Sequence, residues 1–180
     1  MPPKYSGKYF TFINVSTALT PSLKQVLGYI EENLGDMAYE HDIYFKAKSI
    51  VTELLTNGFK HAGAETVNIS VDIDPDHITI IKTDYGIPFK PVTNGTITGT
   101  KTRLTFDIMH HLYAVTEPDN QVRFIVEEVP IENMDVNNIG EHFGLLIITK
   151  CSEEFVYHFN MDTKLNSFTA KVRLPNPPAP

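Results

Sequence analysis

The chain is short of cysteine, has no excess of positive charge and has no long apolar run, and each shortage excludes something. One cysteine, Cys151, stands among 180 residues, so no internal disulfide can form, which fits a reducing compartment. Basic residues number 15 against 22 acidic ones, a net charge of −7. General nucleic-acid binding needs a basic surface, so no direct nucleic-acid partner is expected. No apolar stretch approaches the ~20 residues that cross a bilayer. The opening MPPKYSGKYFTF lacks the basic, apolar and small-residue segments of a signal peptide. A cytoplasmic chain without a membrane partner is the expectation. There is no internal repeat and no linker-like break, so residues 1–180 are read as one domain with a core at 8–174 and a disordered tail, 175–180.

What is present is a run of patterned segments. KYFTFINVS reads as a strand. TPSLKQVLGYIEENLG reads as an amphipathic helix, with Thr20 as its cap, Pro21 in its first turn and Gly35 as its stop. A second helix is expected from about His41 to His61, its apolar arc built from Ile43, Ala47, Ile50, Val51, Leu54 and Leu55. ETVNISVDI and DHITIIKT alternate on either side of Asp74-Pro75-Asp76 and read as an antiparallel hairpin ending at Asp84-Tyr85-Gly86. The Thr/Gly-rich stretch at 92–103 is expected to be a mobile loop. TFDIMHHLYAV reads as a short helix, QVRFIVEEV as a strand, NMDVNNIGEHFG as a loop and GLLIITKCSEE as a buried helix. EFVYHFN and NSFTAKVRL close the sheet. The expected fold is an α/β (α+β) two-layer sandwich, with helices on one face of a mixed, mostly antiparallel sheet.

One segment does not read as ordinary core. In ELLTNGFKH, residues 53–61, a step of four advances about 40° around a helix axis. Glu53, Asn57 and His61 therefore form one drifting stripe with Lys60 beside it. Buried against a core, such a stripe costs free energy unless it meets polar partners. Asn57-Gly58 is also a poor helix pair by propensity, tolerable if Asn57 has a task there.

Three segments in order resemble the gyrase/histidine-kinase/MutL-type ATPases. ELLTNGFKH resembles their asparagine box. DYGIPFKP resembles their first glycine box, in the form with proline before phenylalanine seen in anti-sigma-factor serine kinases. GEHFGLLIITKCSEEFVYHF with KLNSFTAKVRL resembles the second glycine box, helix and closing hairpin. The similarity spans about residues 8 to 174, and the three motifs carry it jointly. It implies ATP and Mg²⁺ as cofactors, with Glu53 as the base that takes a proton from an attacking hydroxyl or water. Asn57 would be the Mg²⁺ ligand, since that ion keeps its waters and takes few protein ligands. Lys60 or His61 would face the phosphates, and Asp84 would accept the adenine amino group. Gly86 would let the chain pass beneath the base, and Gly140 and Gly144 would open a helix N-terminus to phosphate. Implied partners are a sigma factor and an antagonist protein phosphorylated on serine, with the chain as a homodimer. Glu141, His142 and Phe143 stand where the second glycine box usually has glycines. A carboxylate there repels triphosphate, which motivates the alternative of a degenerate nucleotide-binding or purely protein-binding module without catalysis.

The remaining polar residues have plainer readings. His110-His111 would point apart on a helix and lack a metal-ligand spacing. Cys151 reads as a core thiol, and Glu31-Glu32 and Glu153-Glu154 as solvated helix faces. Tyr85 stacks or packs beside the proposed site.

Overall fold

Period-two alternation puts every second side chain of a strand on one face, and here the apolar set of each strand meets a single layer of helices. The computed structural model describes residues 6–61, 63–89, 97–119, 121–128 and 143–175. Its elements are strand β1 (Ser6–Ile13), helices α1 (Leu19–Leu34) and α2 (Ile43–His61), and strands β2 (Thr66–Ile73), β3 (His77–Asp84), β4 (Lys101–Phe106), β5 (His110–Thr116) and β6 (Gln121–Glu128). Helix α3 (Phe143–Cys151) and strands β7 (Glu154–Asn160) and β8 (Leu165–Arg173) follow. The strands form one sheet in the order β1-β2-β3-β8-β7-β6-β5-β4. Every neighbouring pair is antiparallel, so the described sheet is wholly antiparallel rather than mixed.

The helices share one face. Helix α1 packs on β1 and β2, α2 on β2, β3 and β8, and α3 on β4, β6, β7 and β8, while α2 touches both other helices. Val26, Ile30, Ile50 and Leu54 from the helices meet Val67, Ile69 and Ile80 from the sheet in one buried core. Each such side chain contributes about 1.5–3 kcal/mol by leaving water. Among the described residues no helix is long and apolar enough to cross a membrane.

Several local expectations need correction. Thr20 does not cap α1: the N-cap is Ala18, without a side-chain cap bond, because a 3-10 turn at Ser16–Ala18 leads straight into the helix. Gly35 does end α1, with φ 56° and ψ −133°, a positive-φ conformation that glycine adopts without the steric cost other residues bear. Gly58 has a packing role. A Cβ there would lie 2.9 Å from both methyls of Val67 and 3.3 Å from Lys82 Cε. The missing side chain lets α2 press onto β2 and β3, which explains a residue that propensity disfavours inside a helix.

The largest correction concerns TFDIMHHLYAV, which is no helix but the turn of a hairpin between β4 and β5. Asp107 Oδ1 accepts hydrogen bonds from the amides of Met109 (2.8 Å) and His110 (2.7 Å), closing an Asx turn that breaks any helical run. Residues 101–103 of the expected loop belong to β4. His110 and His111 point to opposite faces of a strand. His110 Nδ1 lies 2.9 Å from Asp107 Oδ1 and 3.2 Å from Lys150 Nζ on α3, and His111 lies 3.3 Å from the Tyr113 hydroxyl. Glu153 and Glu154 are not on a helix either: Glu154 opens β7. They pair with Arg173 (3.2 Å) and Lys171 (2.6 Å) respectively. Residues 91–96, residues 133–142 of the second expected loop and the tail at 176–180 lie outside the described residues.

Asp107 also gives the fold a pH dependence. Burial pushes its carboxyl up, but the Met109 amide, the His110 side chain, the Lys150 charge and the His110 amide outweigh it and bring the pKa down to about 2. A folded-state value below the unfolded one stabilises the fold above the unfolded pKa, and the gain is lost as pH falls from about 4 toward 2. With the side chain 24% exposed, Asp107→Ala is expected to cost about 1–2 kcal/mol at pH 7. Urea midpoints for wild type and variant should converge between pH 4 and pH 2. A gap that persists unchanged at pH 2 contradicts this origin.

Candidate functional site

The polar stripe of α2 meets the start of α3. Glu53 and Asn57 are half-buried, and both reach Gly144 in the first turn of α3. A Cβ on Gly144 would collide with Glu53 Oε2 and stand 3.6 Å from Asn57 Nδ2. Thus an absent side chain on α3 makes room for two polar side chains of α2, although Gly144 stands 91 positions after Glu53 in the chain. The positive end of a helix is a favourable place for a carboxylate or a phosphate. In the described state Glu53 stands there.

The second half of the site is the end of β3. Alternation carries Ile78, Ile80, Lys82 and Asp84 onto the helix-facing side, each of them buried. Lys82 is 4% exposed and Asp84 1%, and Lys82 Nζ contacts Asp84 Oδ2 as an ion pair. The ammonium also lies 5.1 Å from the centre of the Phe168 ring, a distance at which a cation is attracted to an aromatic face. Asp84 Oδ1 accepts from the Gly86 amide (2.8 Å) and from Asn166 Nδ2 (3.0 Å). Asp84 Oδ2 has no hydrogen bond of good geometry and depends on Lys82 for its partner.

A relay from β7 and β8 fixes the segment that follows Asp84. Asn166 Nδ2 also donates to the Gly86 carbonyl (3.0 Å), and Asn166 Oδ1 accepts from the Tyr157 hydroxyl (2.7 Å). The Tyr157 oxygen in turn accepts from the Phe89 amide (3.0 Å). Burial pushes the Tyr157 phenol up to about 12, the Phe89 amide opposing this and the charge of Asp84 adding to it. It therefore remains a neutral donor. The Phe89 ring packs edge-on against Phe124, Tyr157 and Phe168 at 5.5–6.0 Å. Gly86 and Phe89 are thus held through their backbones, while Tyr85 is exposed.

Of the residues singled out in the sequence, Glu53, Asn57 and Gly144 come together, and so do Asp84 and Gly86. Helix α2 joins the two groups, since Gly58 follows Asn57 and abuts the Lys82 stem. Lys60 and His61 are exposed at the end of α2, where basic residues suit the helix dipole, and no described contact ties them to the site. Gly140 lies outside the described residues. Cys151 is half-buried against the core, and burial pushes its thiol up.

The donor set can be tested against a magnesium nucleotide. At the phosphate end the residues fit: an amide, a carboxylate and a helix start converge where Mg²⁺ would need one protein oxygen and phosphate would need free amides. At the base end the carboxylate is already committed: Asp84 Oδ1 accepts from Gly86 and Asn166, and the buried Oδ2 contacts the Lys82 ammonium, so an amino group would have to share Oδ2 with Lys82. Lys82, Asn166 and Tyr157 had not been singled out in the sequence. Only Lys82 had a signal, being a lysine on the inward phase of an otherwise apolar strand. No protein-family model matches the chain, and no curated protein matches it. What the site does has to be inferred from its own chemistry.

Proposed function

We propose that the chain is an ATP-binding regulatory protein, a serine/threonine kinase of the anti-sigma-factor type whose motifs it resembles. Asp84 would take the adenine amino group, Asn57 would offer its amide oxygen to Mg²⁺, and Glu53 would accept the proton of the attacking hydroxyl. The serine of an antagonist protein would receive the phosphoryl group and a sigma factor would be the second partner, with the chain acting as a homodimer. The observation that carries this reading is the meeting of Glu53 and Asn57 with Gly144. Residues from two distant segments converge as a phosphate and metal site requires, and Asp84 ends the strand beneath the same helix.

A second reading is a module that binds nucleotide or protein without turnover. The position of the Glu53 carboxylate favours it, because that group rests against the first turn of α3, where it offsets the helix dipole. A structural carboxylate needs no reaction to account for it.

Calorimetric titration with Mg·ATP tests both readings. Wild-type protein is expected to release heat with a dissociation constant in the micromolar to millimolar range, and Asp84→Asn is expected to bind at least tenfold more weakly. No heat from a folded wild type up to millimolar nucleotide removes ATP from the proposal.

A further inference from the structure

We infer that the outer edge of β1 is an interface, at which β1 pairs antiparallel with β1 of a second copy of this chain and joins two sheets into one. This interface rests on the homodimer of the reading above, and it uses none of the residues placed at the nucleotide. The described sheet ends in two edge strands, β1 and β4. Unpaired edges invite pairing with another chain unless they are blunted. Strand β4 is blunted, since its register shifts between Arg103 and Thr105 and Lys101 and Arg103 stand exposed on it. Strand β1 has neither device. It pairs with β2 from Ser6 to Ile13 without a shift and contains no proline. Its one charge, Lys8, lies over the rings of Phe10 and Tyr29, at 5.2 Å from each.

The edge is also complementary to itself. The Asn14 amide donates to the Glu65 carbonyl (2.9 Å), in line with the β1–β2 register. Alternation in an antiparallel ladder then turns the amides and carbonyls of Lys8, Phe10 and Phe12 toward β2, and those of Tyr9, Thr11 and Ile13 outward. The Ile13 carbonyl accepts locally from the Val15 amide (2.9 Å) and keeps a second lone pair. A twofold axis at Thr11 sets Thr11 against its own copy and Tyr9 against Ile13 of the second copy. Tyr9 and Ile13 are 62% and 69% exposed in the single chain, on the face away from the helices. Each would cover the other. Aromatic with β-branched, and threonine with threonine, are both favourable cross-strand pairs. In the same register Phe10 opposes Phe12 and Lys8 opposes Asn14, so no like charges meet.

Sedimentation velocity from about 10 μM to about 1 mM protein reads the assembly, and amide hydrogen exchange followed by NMR reads the edge. Wild type is expected to pass from monomer to dimer over this range. The Tyr9, Thr11 and Ile13 amides should exchange at least about tenfold more slowly in the dimer than in the monomer. Thr11→Pro removes an outward donor that β2 does not use, and edge strands tolerate proline at such positions. The variant is expected to keep its melting curve and to stay monomeric throughout. Should it fail to fold, Tyr9→Lys, a change at an exposed side chain, is expected to weaken the dimer at least about tenfold. A dimer whose Tyr9, Thr11 and Ile13 amides exchange as fast as in the monomer overturns the interface and leaves the homodimer standing, as does a dimer that folded Thr11→Pro forms equally well. A wild type that stays monomeric at about 1 mM removes the homodimer and this interface together, while nucleotide binding is decided by its own titration.

Discussion

Asp84→Ala is expected to remove about 3–5 kcal/mol of stability, the usual cost of deleting one member of a buried ion pair. The loss has three parts. Lys82 would lose its counter-charge in a 4% exposed position, with the ring of Phe168 as its remaining described partner. Asn166 Nδ2 would lose one of its two acceptors, and the Gly86 amide would lose the one it has. Unsatisfied buried donors cost about 1–3 kcal/mol each, so the sum is reached without invoking strain. For a chain of this size the midpoint of thermal unfolding should fall by about 10 °C. The double variant Asp84→Ala/Lys82→Met separates these parts. Replacing a buried pair by apolar groups is often close to neutral, so the double variant should recover at least half of the lost stability, with the orphaned Gly86 amide accounting for most of the rest. Urea denaturation followed by circular dichroism reads both values. An Asp84→Ala protein within about 1 kcal/mol of wild type would mean that the pair is not formed in the native state.

The same stretch shows where sequence patterns are legible and where they are not. The arc of α2 was readable because Ile43, Ala47, Ile50, Val51, Leu54 and Leu55 recur at the helical period, and all six are buried. The β2–β3 hairpin was readable because Pro75 marks its turn. The β4–β5 hairpin was missed, although it is built alike. Asp74 Oδ1 accepts from the amides two and three residues on, at 2.8 and 2.7 Å, and Asp107 repeats both distances. Asn160 does the same between β7 and β8, at 3.0 and 2.9 Å. Without a proline, the Asp107 turn was hidden by Ile108, Met109 and Leu112, whose spacing suits a helix. Pairing of β5 with β6 on its far side overrides that local preference, and pairing across sequence is not visible in a window of eleven residues. The site was legible in a similar measure. Glu53 and Asn57 stand out as a polar stripe bordering the apolar arc of α2, and Asp84 through the resemblance of DYGIPFKP to a glycine box, whereas Asn166 and Tyr157 become site residues only through hydrogen bonds between strands. Lys82 lies between these cases, since alternation alone places it inward.

Glu53→Gln is expected to lower single-turnover hydrolysis of Mg·ATP by at least about a hundredfold while changing nucleotide affinity less than threefold. Water serves as the acceptor in this measurement, so no protein partner has to be identified. A general base contributes about 10²–10⁴ to a rate, and glutamine keeps the size and hydrogen-bonding oxygen of the side chain while losing its proton affinity. The carboxylate also rests against the first turn of α3, so removing its charge should cost about 0.3–1 kcal/mol of stability through the helix dipole. The two effects separate the two readings. A loss of rate far larger than the loss of stability marks Glu53 as the base. A variant that hydrolyses at the wild-type rate removes that role, whatever its stability. A wild type that binds nucleotide and never hydrolyses it, beside a Gln variant that is merely less stable, leaves Glu53 as the residue that holds α3 in place over a binding site without turnover.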